Sequence, residues 1–376
     1  MNPPGAPLRS PTPPLGYRPA LDGLRGLAIL LVVPFNFGWS LPGGYIGVDV
    51  FFVLSGFLIT SLLLEERAAK GGIAFGAFYM RRALRLLPAL LFLLLALSLA
   101  STLLISRENA RENYVASLAA LFYVGNWVMA LGQGRHYELM GALAHTWSLS
   151  VEEQFYLIWP PVLALILSRG GGVRNVARLA AIGVLGAAVW RVVLVGSGAH
   201  PLRIYAGTDT RADALLMGCL MAALFYLGLF DRSWIRRAAP WISWMALLSI
   251  LSCALLLPPN SNLTMERVGF PLVAVLVALL LTSLLADPAG TVGRVFSWEP
   301  MVAVGRVSYG MYLWHYVVAA FLTEERLGIP SSGVQIARVA GTAAAVVFSW
   351  YAIERPALRL KKRWTRVKVK PVPEGR

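Results

Sequence analysis

Charge is scarce in this chain: only 14% of its 376 residues are Asp, Glu, Lys or Arg, against roughly 25% in soluble domains. A chain of this length could form two soluble domains. With 57% hydrophobic residues, 12 Trp and 16 Phe, however, there is too little polar side chain to cover them. The expected fold class is an all-α polytopic membrane protein. Cysteine is nearly missing: Cys219 and Cys253 both lie in apolar stretches, which excludes a disulfide framework and a cysteine zinc site and leaves both as packing residues. No apolar signal core precedes the first long run. The proline-rich start, MNPPGAPLRSPTPPLGYRP, reads as a disordered tail over 1–20, so the first membrane helix must itself act as the insertion signal. Internal repeats and soluble domains at either end are also missing.

Acidic residues are the scarcer half of the charge, 19 against 34 basic ones, for a formal net charge of +15. Nucleic acid is the first partner such a balance suggests, and it is rejected here. Lys and Arg between apolar helices gather in cytoplasmic loops and fix orientation. Residues 354–376 hold nine basic and two acidic groups, and residues 65–85 hold five and two. The basic tail, 358–376, is expected to lie on an anionic inner leaflet.

Reading for runs of about 20 apolar residues gives eleven candidates, at 24–41, 45–64, 84–105, 114–131, 149–168, 176–196, 212–230, 238–257, 268–286, 301–323 and 334–353. The basic loops counted from the two ends disagree by one crossing, so one run between 114 and 168 does not span. Run 114–131, with Gly125 and Asn126, is the candidate for a re-entrant or peripheral helix. About ten transmembrane helices then remain, with both termini cytoplasmic.

Ionisable side chains in hydrocarbon are functional candidates by default. The first run carries Asp22, Arg25 and Asn36, the last two about 16 Å apart along a helix axis. The second carries Asp49, which needs a basic partner, and Ser55. In HTWSLSVEEQFYLIWP, His145, Trp147, Glu152 and Gln154 fall at a membrane boundary, and Glu152 shares a helix face with Phe155 and Tyr156. A carboxylate so placed suits general acid or base work; a structural ion pair is the alternative. Arg211 and Asp213, with Asp209, are placed at one cavity mouth, and Tyr312 and His315 in the tenth run; His315 reads best as a satisfied core residue. Arg81, Arg82 and Arg85 bring three guanidinium groups to a helix mouth. Their planar forks suit phosphate oxygens, with anionic-lipid anchoring as the alternative.

LDGLRGLAILLVVPFN, GGYIGVDVFFVLSGFLIT, FYMRRALRLLP, HTWSLSVEEQFYLIWP, TDTRADALLMG, VGRVSYGMYLWH and IERP occur in this order over residues 21–356. Together they resemble the acyltransferase-3 family of bacterial membrane O-acyltransferases. The resemblance implies a membrane domain over 21–357 in the inner membrane, ten helices with both ends in the cytosol, and a stand-alone form without a C-terminal hydrolase-like domain. It implies transfer of an acyl group, usually acetyl, from cytoplasmic acyl-CoA as cosubstrate to a hydroxyl of a cell-envelope saccharide or related lipid-linked acceptor, with no permanently bound cofactor and no metal. Arg81, Arg82 and Arg85 would hold the CoA phosphates, with Arg25 beside the donor path. In the family pattern an Arg, ten residues and then a His open the first helix. Here Arg25 is followed at that spacing by Asn36, and an amide takes no proton near neutral pH. His145, with Glu152 as its acidic or orienting partner, is the expected substitute base, and His315 the second. Two other readings stay open: a catalytically impaired relative that binds or moves an acylated intermediate, and a proton-coupled transporter.

Overall fold

The computed structural model describes residues 14–104, 107–132, 139–258 and 265–365, and every regular element among them is helical. The chain is thus an all-α polytopic membrane protein. In order the helices are α1 (Pro19–Asn36), α2 (Gly47–Lys70), α3 (Phe75–Leu104), α4 (Arg107–Leu121), α5 (Gly125–Leu131), α6 (Trp147–Ser168), α7 (Val173–Gly196), α8 (Pro201–Ala206), α9 (Thr208–Tyr226), α10 (Ser233–Leu256), α11 (Phe270–Ala286), α12 (Thr291–Phe296), α13 (Glu299–Phe321), α14 (Glu324–Leu327), α15 (Ser331–Ser349) and α16 (Arg355–Thr365). A 3₁₀ turn, Gly141–Thr146, leads into α6. Seven segments among the described residues are long and apolar enough to cross a membrane, and they contain α1, α2, α3, α7, α10, α11 and α15. Helices α6, α9 and α13, of 22, 19 and 23 residues, are long enough but more polar.

Run 114–131 is two helices rather than one. The break is at Tyr123, whose φ of 53° is a left-handed conformation that a bulky residue adopts only when held there. A neighbouring helix holds it: Gln154 Nε2 donates to the Tyr123 carbonyl at 2.7 Å. The 15 residues of α4 reach only about 22 Å, short of the roughly 30 Å hydrocarbon core. Both termini are ordered further than expected. Leu15 is buried and its N–H donates to Glu65 Oε1 at 2.6 Å, so the tail expected over 1–20 gives way to packed chain from Leu15 and to α1 from Pro19. Residues 358–365, expected as tail, continue α16. Residues 1–13 and 366–376 lie outside the described chain.

Helices α1, α2, α9 and α13 form the centre, with α1 on α13, α2 on α9 and α7 on the other side of α9. Association inside a membrane relies on close backbone approach, which small residues permit. Gly56 of α2 and Gly218 of α9 supply it reciprocally. A β-carbon on Gly56 would overlap the Leu215 carbonyl, and one on Gly218 the Val53 carbonyl. Neither clash can be relieved by turning a side chain. Gly218→Ala is therefore expected to destabilise the detergent-solubilised protein by about 1–3 kcal/mol. Gly186→Ala, with open space around its β-carbon on α7, should be neutral or stabilising. Thermal unfolding of the two variants checks this, and equal midpoints would refute the close-approach account.

Candidate active site

Two cavities open toward opposite ends of the central helices. The first is lined by one face of α2, with Val48, Phe51, Phe52, Ser55, Ile59 and Leu62 spaced three or four residues apart, and by residues of α1, α3, α6 and α13. It contains about 960 Å³ of free space counting its open mouth. Arg25 and Arg85 reach it, and neither has an ion-pair partner within 4 Å among the described residues. Glu152 also lines it and accepts a hydrogen bond from Ser55 Oγ at 2.9 Å; Tyr156 follows on the same face.

The three expected phosphate-binding arginines separate. Arg82 and Arg85 share a face and both line the cavity, as their spacing implies. Arg82, however, is clamped: its Nε lies 2.9 and 3.0 Å from the two Glu153 carboxylate oxygens, its Nη2 lies 2.5 Å from Oε1, and its guanidinium lies 3.3 Å from the Tyr156 ring centre. Arg81 points away to Glu66 at 3.5 Å, a carboxylate shared with Lys70. The free guanidinium pair is thus Arg25 with Arg85 rather than the Arg81–Arg82–Arg85 cluster.

The second cavity encloses about 660 Å³ with its mouth and is walled mostly by aromatic rings: Phe35, Tyr45, Trp147, Tyr205, Tyr312 and Tyr316. Asn36 and His145 also line it. Asn36 Nδ2 donates to the Val32 carbonyl at 3.0 Å and to His315 Nε2 at 3.1 Å. His315 Nδ1 lies 3.0 and 2.8 Å from the Met311 and Tyr312 carbonyls, so it carries the proton and Nε2 accepts. His315 is fully buried and satisfied on both sides, as its sequence context suggests. His145 Nε2 lies 3.2 Å from the Leu313 carbonyl, to which it donates. Its Nδ1 is enclosed and has no hydrogen-bond partner among the described residues. Among the described residues lining this cavity, His145 carries the one imidazole.

Glu152 is not the partner of His145. It faces the first cavity and His145 the second, because the 3₁₀ turn places His145 ahead of α6, where a backbone carbonyl orients its ring. Among the described residues the cavities share only Val48 and Tyr312 in their linings. Tyr312 Oη donates to the His145 carbonyl at 2.7 Å and lies 2.7 Å from Ser148 Oγ.

Arg211 and Asp213 belong to the core, not to a cavity mouth. Arg211 meets Asp49 at 2.8 Å with both side chains 1% exposed, and Asp213 meets Arg191 at 2.5 Å. The Arg211 guanidinium also lies 3.9 Å from the Phe270 ring centre and within 6 Å of those of Phe52, Trp147 and Tyr205. Gln154 lines neither cavity. It donates to the Tyr123 carbonyl and Asn126 Oδ1 and accepts from Trp127 and Thr208, which ties α5, α6 and α9 together. Asp22 accepts from Tyr17 Oη at 3.1 Å outside both cavities. Sequence reading missed Arg191, although an arginine deep in an apolar run is itself a signal. Ser148, Tyr205 and Tyr316 carried no such signal.

Over residues 18–354 the chain matches the family described as the acyltransferase domain. It is 34% identical over 351 residues to the peptidoglycan O-acetyltransferase OatA of Listeria monocytogenes, covering 90% of this chain and 56% of the relative. It is 33% identical over 350 residues to a Bacillus subtilis protein named "Putative peptidoglycan O-acetyltransferase YrhL", covering 90% and 55%. The chain therefore spans about half the length of the curated relatives it matches. No solved structure matches it.

Breaking a buried ion pair leaves one charge stranded, at about 3–5 kcal/mol. Arg211→Leu is expected to cause that loss. Combining it with Asp49→Asn should recover part of it, as read from thermal unfolding. A double variant no more stable than Arg211→Leu alone would show that the pair is not the stabilising element.

Proposed function

Since this chain belongs to the acyltransferase family, we propose that it transfers an acyl group, acetyl above all, from acyl-CoA to a hydroxyl of a cell-wall saccharide. The observation that carries this reading is the pair of cavities meeting at Val48 and Tyr312. One offers free guanidinium groups above a long apolar wall; the other offers aromatic rings and an imidazole. The names of the relatives support O-acetylation of peptidoglycan as the reaction class. The basic ends of α2 and α3 would face the cytoplasm, where acyl-CoA is made, and the exposed Arg355 and Arg359 of α16 would rest on an anionic inner leaflet.

In this reading Arg25 and Arg85 hold CoA phosphates through charge-assisted hydrogen bonds, and the pantetheine arm follows the α2 face toward Val48. The saccharide enters the second cavity with its ring faces against the aromatic wall. Its hydroxyl gives its proton to His145 Nδ1 as the oxygen attacks the thioester carbon. The C–S bond then breaks, and the sulfur leaves as the thiol with the proton returned to it. To reach Nδ1, the His145 ring has to turn toward the cavity and give up its bond to the Leu313 carbonyl. The impaired-relative reading is favoured by Asn36, an amide where the family pattern has His. It predicts donor binding without turnover.

The test supplies purified chain with labelled acetyl-CoA and peptidoglycan fragments. Labelled ester is expected. His145→Gln should lower kcat by about 10²–10⁴-fold, and Arg85→Ala should raise KM for acetyl-CoA by about tenfold. Asn36→His should raise turnover above that of the unmodified chain by restoring an imidazole. Bound acetyl-CoA with no ester formed by the unmodified chain would support the impaired-relative reading instead. A His145→Gln rate within threefold of the unmodified chain would remove His145 as the base.

A further inference from the structure

We infer that Val48 sets the length of the acyl group the enzyme transfers, holding the donor to acetyl; this rests on the acyl-transfer reading above. A carbonyl attacked from the second cavity while its sulfur lies in the first must sit where the two abut. Among the described residues, Val48 and Tyr312 are the ones common to both linings. The carbons beyond that carbonyl must therefore fit against these two side chains.

Neither side chain has freedom to withdraw. Tyr312 is pinned by its bonds to the His145 carbonyl and Ser148 Oγ, both at 2.7 Å, and by the Phe51 ring meeting it edge-on at 6.3 Å between centres. Phe52, beside Val48, is fully buried and stands perpendicular to Trp147 at 6.1 Å. Val48 is itself 5% exposed, and its β-branch restricts it to essentially one rotamer in a helix. The backbone carrying it cannot shift toward α1 either, since a β-carbon on Gly47 would overlap the Ala28 carbonyl. Both methyl groups of Val48 are therefore fixed in the partition. Acetyl, with one carbon past its carbonyl, asks for little room there. Butyryl adds two further carbons, the number that Val48→Ala removes.

The reaction is the same for either donor: the ester C–O bond forms, the thioester C–S bond breaks, and the hydroxyl proton ends on the CoA thiol. The experiment is an internal competition. Full-length protein in detergent receives acetyl-CoA and butyryl-CoA together with peptidoglycan fragments, and both esters are quantified by mass. The product ratio does not depend on how much of a variant is folded. The unmodified chain is expected to favour acetyl by at least about 100-fold, and Val48→Ala to shift the ratio toward butyryl by about tenfold or more, in line with 10–200-fold per methylene in a shaped apolar pocket. Val48→Ile should shift it further toward acetyl. An unchanged ratio in both variants, with acetyl transfer intact in the unmodified chain, overturns the inference and leaves the acyl-transfer reading standing. No ester from either donor with the unmodified chain overturns that reading, and the inference with it.

Discussion

A charge carried into hydrocarbon must be neutralised or kept wet, and that constraint sorts the arginines of this protein. Arg191 and Arg211 lie in the core and each meets an aspartate. Arg82 is clamped by Glu153. Arg25 and Arg85 have no such partner among the described residues, and both stand on a cavity wall. The same rule arranges the helices. Arg211 and Asp213 are two residues apart on α9, so they project about 200° apart around its axis. One reaches Asp49 on α2 and the other Arg191 on α7. Helix α9 is thereby bound on both sides by buried ion pairs. Gly218 meanwhile lets its backbone press against α2, which keeps the Asp49 contact short.

That arrangement fixes what stands between the cavities. Asp49 follows Val48, so the ion pair anchoring α2 to α9 also anchors the partition. The Arg211 guanidinium lies within 6 Å of the ring centres of Trp147 and Tyr205, two walls of the second cavity. Across from it, Tyr312 joins α13 to both the 3₁₀ turn and the start of α6. On the acyl-transfer reading, a rigid divider of this kind lets a thioester and a hydroxyl meet at Val48 and Tyr312 without a free passage between the cavities. Reactions that must exclude hydrolysis need such closure.

Much of this is legible in the sequence wherever the relevant physics is local. Hydrophobic run length located the long helices. The helical repeat placed Arg82 with Arg85 and Glu152 with Tyr156, and an intramembrane Asp49 announced its need for a cation. What the sequence does not reveal is which partner each charge takes, because that depends on contacts between helices far apart in the chain. Arg82 and Glu153 are 71 residues apart, and Asp49 and Arg211 are 162 apart. The error over His145 and Glu152 has a local cause: a 3₁₀ turn does not keep the helical repeat. Extrapolating the α6 pattern back to His145 therefore puts it on the wrong side. Gln154 looked like a cavity residue because polar side chains in membranes are usually functional, yet all of its hydrogen-bonding capacity is used within the fold.

Asn36 remains the most informative departure. His315 donates from Nδ1 to backbone carbonyls, so its Nε2 can only accept, and whatever occupies position 36 must donate toward it. A neutral imidazole there could donate through one nitrogen and keep the other as a base. An amide meets the first requirement and not the second: Asn36 directs its amide nitrogen to His315 and Val32, and its remaining oxygen can only accept. The substitution thus preserves the hydrogen-bond structure of the second cavity while removing a proton acceptor from it. The enclosed Nδ1 of His145, which has no hydrogen-bond partner among the described residues, is the one unprotonated imidazole nitrogen left among the described residues of that lining. If the cavity performs acyl transfer, that nitrogen is the group on its described wall that can take the proton.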